Sequence, residues 1–188
     1  MQTTLKGKPM NECYISVDIE ATGPTPGHYS MYELGACVVG EMHTFERKLT
    51  LLKDAQYSID SLRAVGTSMS KLLRRKDVVS TAVALCEFAT WTQEVARSRR
   101  IVFVANNAPF DWMFVAWYFK EFNVENPFGH SALDMKAYFM GLTKCTWEEA
   151  TLATMAKYAG IEFKTLPHRA LHDALVQAEI FTKLLYLK

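Results

Sequence analysis

An excess of charge of either sign is missing from this sequence. Lys and Arg number 21 against 20 Asp and Glu, a net charge of +1, which excludes a polyanion binder working through an overall positive field. Contact with nucleic acid would have to come from local groups or bound cations. Long apolar runs are missing too. The longest, Phe110–Phe119, carries Asp111 and falls far short of the roughly 20 residues that cross a bilayer, so no membrane partner is expected. Met1–Glu12 is polar, which predicts no secretory leader. The cysteines Cys13, Cys37, Cys86 and Cys145 are far apart, with no Cys-x-x-Cys pair. They argue against a zinc site or disulfide frame and for free thiols in a reducing, cytoplasmic setting. Repeats, low-complexity tracts and dividing linkers are absent. The 188 residues, 49% hydrophobic and 22% charged, predict a single domain with a real core, neither disordered nor collagen-like.

Alternation makes Tyr14–Glu20 a strand, with Ile15, Val17 and Ile19 on one face and Ser16, Asp18 and Glu20 on the other. Gly23–Gly27, rich in proline, breaks it. Tyr32–Val39 reads as a buried second strand and Thr44–Leu52 as a third, with Gly40 at the turn between them, which together predict an antiparallel meander. Helical spacing follows near 78–97, then the apolar strand Ile101–Ala105, then a helix from Phe110. Thr146-x-x-Glu149 predicts a capping box ahead of a helix ending at Gly160, and a last amphipathic helix carries Leu171, Ala174, Ala178 and Phe181. The string βββαβααα predicts an α/β fold, a mixed sheet flanked by helices.

Three segments hold residues suited to chemistry. Asp18 and Glu20, two apart on a strand, project from one face with Cβ atoms roughly 7 Å apart. Two such carboxylates repel each other and resist burial, and a shared divalent cation removes both problems. Alone, Asp-x-Glu is more often a solvated strand face. Asp111 follows the buried strand and opens a helix, where negative charge is favoured; its apolar surroundings make it costly to bury without a partner. Asp173 lies in the first turns of the last helix. His168, were it helical, would stand about 140° from Asp173. Pro167 in front of it places His168 just before the helix instead, on a segment suited to a general base. His172 is the rival base, better read as a surface or satisfied core histidine.

These segments together resemble the DEDDh (ribonuclease H-like) 3′–5′ exonuclease superfamily. Its first motif is matched by Val17-Asp18-Ile19-Glu20-Ala21-Thr22-Gly23 with Glu33-Leu34-Gly35, its second by Asn107-x-x-Phe110-Asp111 and its third by His168 and Asp173. The histidine five before the last Asp marks this branch rather than the tyrosine branch. The resemblance covers about residues 13–186 and implies a ribonuclease H-like sheet of three antiparallel strands plus parallel ones. It further implies two Mg²⁺ or Mn²⁺ ions held by Asp18, Glu20, Asp111 and Asp173, with His168 as base toward the attacking water. Four carboxylates and two dications are formally neutral together. By the same resemblance the backbone around Thr22 and Gly23, with Asn107 and Phe110, meets the terminal nucleotide, and Asp134 is structural rather than a ligand. Ala21, where a hydroxyl is frequent, and the Pro-rich loop depart from the family pattern.

The implied activity is release of nucleoside 5′-monophosphates from single-stranded 3′ ends, since no apparatus for opening duplexes is visible, with RNA or short oligonucleotides slightly preferred because many small stand-alone members of the family process RNA. A homodimer is compatible with it. The alternatives are a DNA-directed proofreading or repair nuclease with the same site, and a non-catalytic nucleic-acid-binding module, against which the intact acidic and histidine positions argue. Arg74-Arg75-Lys76 and Arg97-Ser98-Arg99-Arg100 are the dense basic runs; solvated surface is favoured over backbone steering for both. Helical spacing makes most of Trp112, Trp117, Tyr118 and Phe119 core.

Overall fold

The computed structural model describes residues 11–186; the polar stretch Met1–Glu12, expected to hold no secretory leader, lies almost wholly outside them. The alternation in the first strand has the expected result. In β1 (Glu12–Ala21), Ile15, Val17 and Ile19 are buried in the main core, and the opposite face carries Ser16, Asp18 and Glu20. β2 (Met31–Val38) is buried along its whole length because it lies between β1 and β3 (Thr44–Lys48). Both pairings are antiparallel, and Gly40 at φ +77° supplies the left-handed residue of the turn after β2.

Beyond β3 the chain forms α1 (Ile59–Ala64), α2 (Met69–Leu73) and α3 (Thr81–Ala96), then β4 (Arg100–Ala105) and α4 (Ala108–Glu121). β5 (Ala132–Asp134) runs directly into α5 (Met135–Thr143), followed by α6 (Leu152–Tyr158) and α7 (Ala170–Tyr186). The sheet order is β3-β2-β1-β4-β5, with β4 and β5 parallel to β1. This is the mixed ribonuclease H-like sheet that the resemblance implies. Ile15, Val17 and Ile19 pack with α3 (Leu85, Phe88) and α4 (Phe114, Tyr118) on one side. The helices α5, α6 and α7 cover the other through Phe139, Met155 and Phe181. Tyr118 and Phe119 are buried, and the Tyr118 hydroxyl accepts the Met31 N–H at 2.7 Å.

Several boundaries differ from the expected ones, each for a local reason. The regular ladder of the third strand stops at Lys48; Leu49 still donates to the Tyr32 carbonyl of β2 but also bridges Val79, and that extended contact delays α3 to Thr81. The Thr146–Glu149 box forms, with the Glu149 carboxylate accepting the Thr146 N–H at 2.8 Å, yet it closes a single turn. Helix α6 starts later, capped by Thr151. Gly160, at φ +70°, ends that helix as expected. The helices α1, α2 and α5 and the strand β5 are additional to the expected string. All four cysteines are free, Cys13 and Cys37 buried. Among the described residues no helix is long and apolar enough to cross a membrane.

Candidate active site

The chemistry-bearing residues converge where β1 outruns its parallel neighbour. β4 pairs with β1 only as far as Ser16, which leaves later backbone groups of β1 without a strand partner on that side. Asp111, in the first turn of α4, fills the gap: its Oδ1 accepts the Ile19 N–H at 3.0 Å, between Asp18 and Glu20. Helix α7 arrives from the other side. It lies so close to β2 that a Cβ on Gly35 would stand 2.1 Å from the Leu171 nitrogen and 2.3 Å from the Ala170 carbonyl carbon. Only a residue without a side chain permits this approach, which carries Asp173 to the sheet. The Ser16 hydroxyl adds a tie, donating to the Ala174 carbonyl at 2.9 Å.

Glu20, His168 and Asp173 each place one ligand atom within 4.8 Å of the others. His168 is exposed, ahead of α7 as its spacing suggests, and has a left-handed backbone (φ +54°). A non-glycine residue in that region is strained, and such strain gathers at functional positions. Asp173 Oδ1 is buried and has no hydrogen-bond donor; His172 Nδ1 comes to 3.4 Å without bonding geometry and is itself largely exposed. Asp18 is held by a residue that motif spacing does not reveal. Gln177, buried on α7 one turn past Asp173, donates from Nε2 to Asp18 Oδ1 at 2.7 Å and accepts the Asn106 N–H at 2.8 Å. Those two partners fix the amide, since a flipped one would face an N–H with its NH₂ and a carboxylate with its oxygen. The available signal was a lone amide in the apolar stripe of the last helix.

All four carboxyl groups are pushed above the ordinary carboxylate range, first by burial. Glu20 and Asp111 reach about 8. Asp18 lies well above its usual value, with Asp111, Glu20 and Asp173 adding repulsion and the Gln177 bond opposing it. Asp173 is raised less, because His172 and His168 offset part of its burial. No Lys or Arg forms an ion pair with any of the four among the described residues; Arg75 binds Glu33 instead. Clustered, dehydrated oxygens, one of them orphaned, are a donor set that fits hard divalent cations.

The residues assigned to the terminal nucleotide divide. Thr22 is fully buried and its polar groups are spent: its hydroxyl donates to Gln56 O at 2.8 Å and accepts Ser30 N–H, its N–H donates to Ser30 O, and its carbonyl accepts Ser58 N–H. These bonds anchor the loop beneath the site. Gly23 is buried under the Tyr29 ring, where a Cβ would lie 2.0 Å from a ring carbon. Asn107 is exposed and left-handed (φ +62°), with a side chain that does not cap α4, and Phe110 is half-buried against Phe114. Asp134 is structural: its two oxygens accept the N–H groups of Ala108 and Ala137, each at 3.0 Å, joining the starts of α4 and α5. The 97–100 basic run lies at the opposite end of the sheet, with Arg99 bound to Glu41.

Comparison with known proteins gives the family. A family model for exonucleases of the RNase T type matches residues 15–181. An Escherichia coli protein described as 3′-5′ DNA exonuclease Cap18 is 36% identical over 172 residues, 90% of each chain. In fold, the chain is similar to the nuclease domain of 3′hExo, a DEDDh family member bound to rAMP. That match has TM-score 0.73 and 17% identity, covering 93% of this chain and 90% of that one. It is similar too to E. coli exonuclease I in complex with a dT13 oligonucleotide, with TM-score 0.67 and 16% identity over 91% of this chain and 40% of that one. Exonucleases of this family use divalent metal ions. The match over most of the chain and the relative at this identity assign it: the protein belongs to the DEDDh, ribonuclease H-like superfamily of 3′–5′ exonucleases.

Proposed function

We propose that the protein removes nucleotides one at a time from the 3′ end of single-stranded DNA, releasing nucleoside 5′-monophosphates in a reaction that requires Mg²⁺ or Mn²⁺. The observation carrying this proposal is that Glu20 and Asp173 place ligand atoms within 4.8 Å of the exposed His168, while Asp111 bonds the Ile19 N–H between Asp18 and Glu20 and Asp18 bonds Gln177 one turn past Asp173. Divalent cations held by the four carboxylates would supply Lewis-acid stabilisation of charge on the phosphate and the departing 3′-oxygen. The imidazole of His168 accepts the proton of the attacking water from a segment outside the helix, and the neighbouring Asp173 carboxylate stabilises the imidazolium that results. Gln177 and the Ile19 N–H keep Asp18 and Asp111 oriented throughout. Asn107 and Phe110 flank the terminal nucleotide, and the Gly23 backbone, with the Tyr29 ring on it, forms the floor. DNA is preferred over RNA here because the relative at 36% identity is described as a DNA exonuclease; the slight RNA preference read from the sequence has only general resemblance behind it.

The test uses 5′-labelled single-stranded DNA and RNA of one sequence with Mn²⁺, with and without EDTA. A ladder shortening from the 3′ end, faster on DNA, abolished by EDTA and by Asp18→Asn, with 5′-monophosphates as product, is the expected result. A faster RNA ladder restores the earlier preference. Activity that persists in EDTA contradicts the metal requirement.

A further inference from the structure

Glu33 brings a fifth carboxylate to the edge of the acidic cluster. It stands opposite Glu20 in the β1–β2 register, where facing side chains have Cβ atoms roughly 4.5–5.5 Å apart. Glu33 is only 8% exposed, and after burial its charge bears most heavily on Glu20. It stays out of the cluster because Arg75, from the segment between α2 and α3, donates from Nη2 to Glu33 Oε1 at 2.6 Å. The guanidinium lies 5.3 Å above the Tyr32 ring, and its Nη1 is buried with no acceptor. An unpaired buried N–H carries a free-energy cost. Arg75 also belongs to a basic run that the sequence reads as solvated surface, whereas here it is half-buried beside the site.

We infer that Arg75 is a positioning residue that sequesters Glu33 and so keeps the metal cage at four carboxylates. This rests on the metal-dependent reaction proposed above. Four carboxylates and two dications leave no net charge where a phosphodiester must bind. A fifth free carboxylate leaves one negative charge at that place, and it offers the cations a competing ligand. Releasing Glu33 therefore strengthens cation binding while weakening binding and turnover of the oligonucleotide. A residue that merely braces the fold would not move those two quantities in opposite directions.

The experiment compares the full chain with Arg75→Met, which keeps the apolar stem over Tyr32, and with the double variant Arg75→Met/Glu33→Gln. Mn²⁺ binding is measured by calorimetry, and KM and kcat are measured on single-stranded DNA. Arg75→Met is expected to bind Mn²⁺ several-fold more tightly, with kcat/KM at least tenfold lower. The double variant should return both to within about threefold of the unmodified protein. Should Arg75→Met not fold, the double variant decides. If it folds and keeps a loss of tenfold or more in kcat/KM, Arg75 acts on the substrate itself and the inference is overturned. No Mn²⁺ binding by the unmodified protein removes the metal-dependent reading and this inference together, whereas normal binding with a defective double variant removes the inference alone.

Discussion

Gly35→Ala tests how the site is assembled: residue 35 stands opposite Asp18 in the β1–β2 register, and the atoms nearest to it are backbone of α7. Its new methyl group would stand 2.1 Å from the Leu171 nitrogen, against an ordinary contact of 3.4 Å or more. The obstacle is helix backbone, which has no rotamer to yield, so the start of α7 must retreat by about 1.3 Å from that nitrogen. Asp173 lies two residues further along and moves with it. Overpacking of this kind costs about 1–3 kcal/mol, a fall in Tm of roughly 2–12 °C for a chain this size. A displacement near 1 Å in a catalytic group costs on the order of 10²-fold in rate. Thermal unfolding by circular dichroism, Mn²⁺ calorimetry and single-turnover hydrolysis of labelled DNA measure the three effects. Gly141→Ala is the control, since nothing lies within 4 Å of a Cβ there; inside α5 it should stabilise the helix by about 0.5–1 kcal/mol and leave Mn²⁺ affinity and turnover unchanged. A Gly35→Ala protein with unaltered Mn²⁺ affinity and turnover would refute the claim that close approach of α7 positions Asp173.

Other outcomes follow from the same geometry. His168→Ala should lose about 10²–10⁴-fold in kcat while Mn²⁺ affinity changes little; unchanged kcat assigns the proton to another acceptor. Gln177→Leu removes the bond to Asp18 and should lower Mn²⁺ affinity about 10–100-fold, with KM for DNA nearly constant. The metal-free protein should lose stability as pH rises. Folded Glu20 and Asp111 hold protons up to about 8, whereas unfolded carboxyl groups release them near 4. Across that window the folded state binds more protons, so Tm in EDTA falls from pH 5 to pH 8, and Mn²⁺ restores it most at the alkaline end. A flat Tm in EDTA would show that these groups ionise at ordinary pH.

The parts of the fold and site that can be read from sequence are those written in a regular period or a charge out of place. Alternation over Tyr14–Glu20 puts Asp18 and Glu20 on one face because a strand allows nothing else. Asp111 stands out as a carboxylate within an apolar run, and Pro167 keeps His168 off the helix. The short elements carry too little periodicity: α1 and α2 each bury a single leucine, Leu62 and Leu72, and β5 has three residues. The bonds that hold Thr22 run to Gln56 and Ser30, partners that no local pattern names. Gln177 and the Arg75–Glu33 pair depend on contacts between residues far apart in the chain, which no local pattern encodes.

The central claim is that the four carboxylates jointly hold paired cations. Anomalous diffraction from a crystal soaked in Mn²⁺ addresses it without reference to activity. The account predicts two peaks roughly 4 Å apart, bound by oxygens of Asp18, Glu20, Asp111 and Asp173, and no manganese on Glu33. Peaks confined to other carboxylates, or carboxylates of the four that bind none, would contradict it.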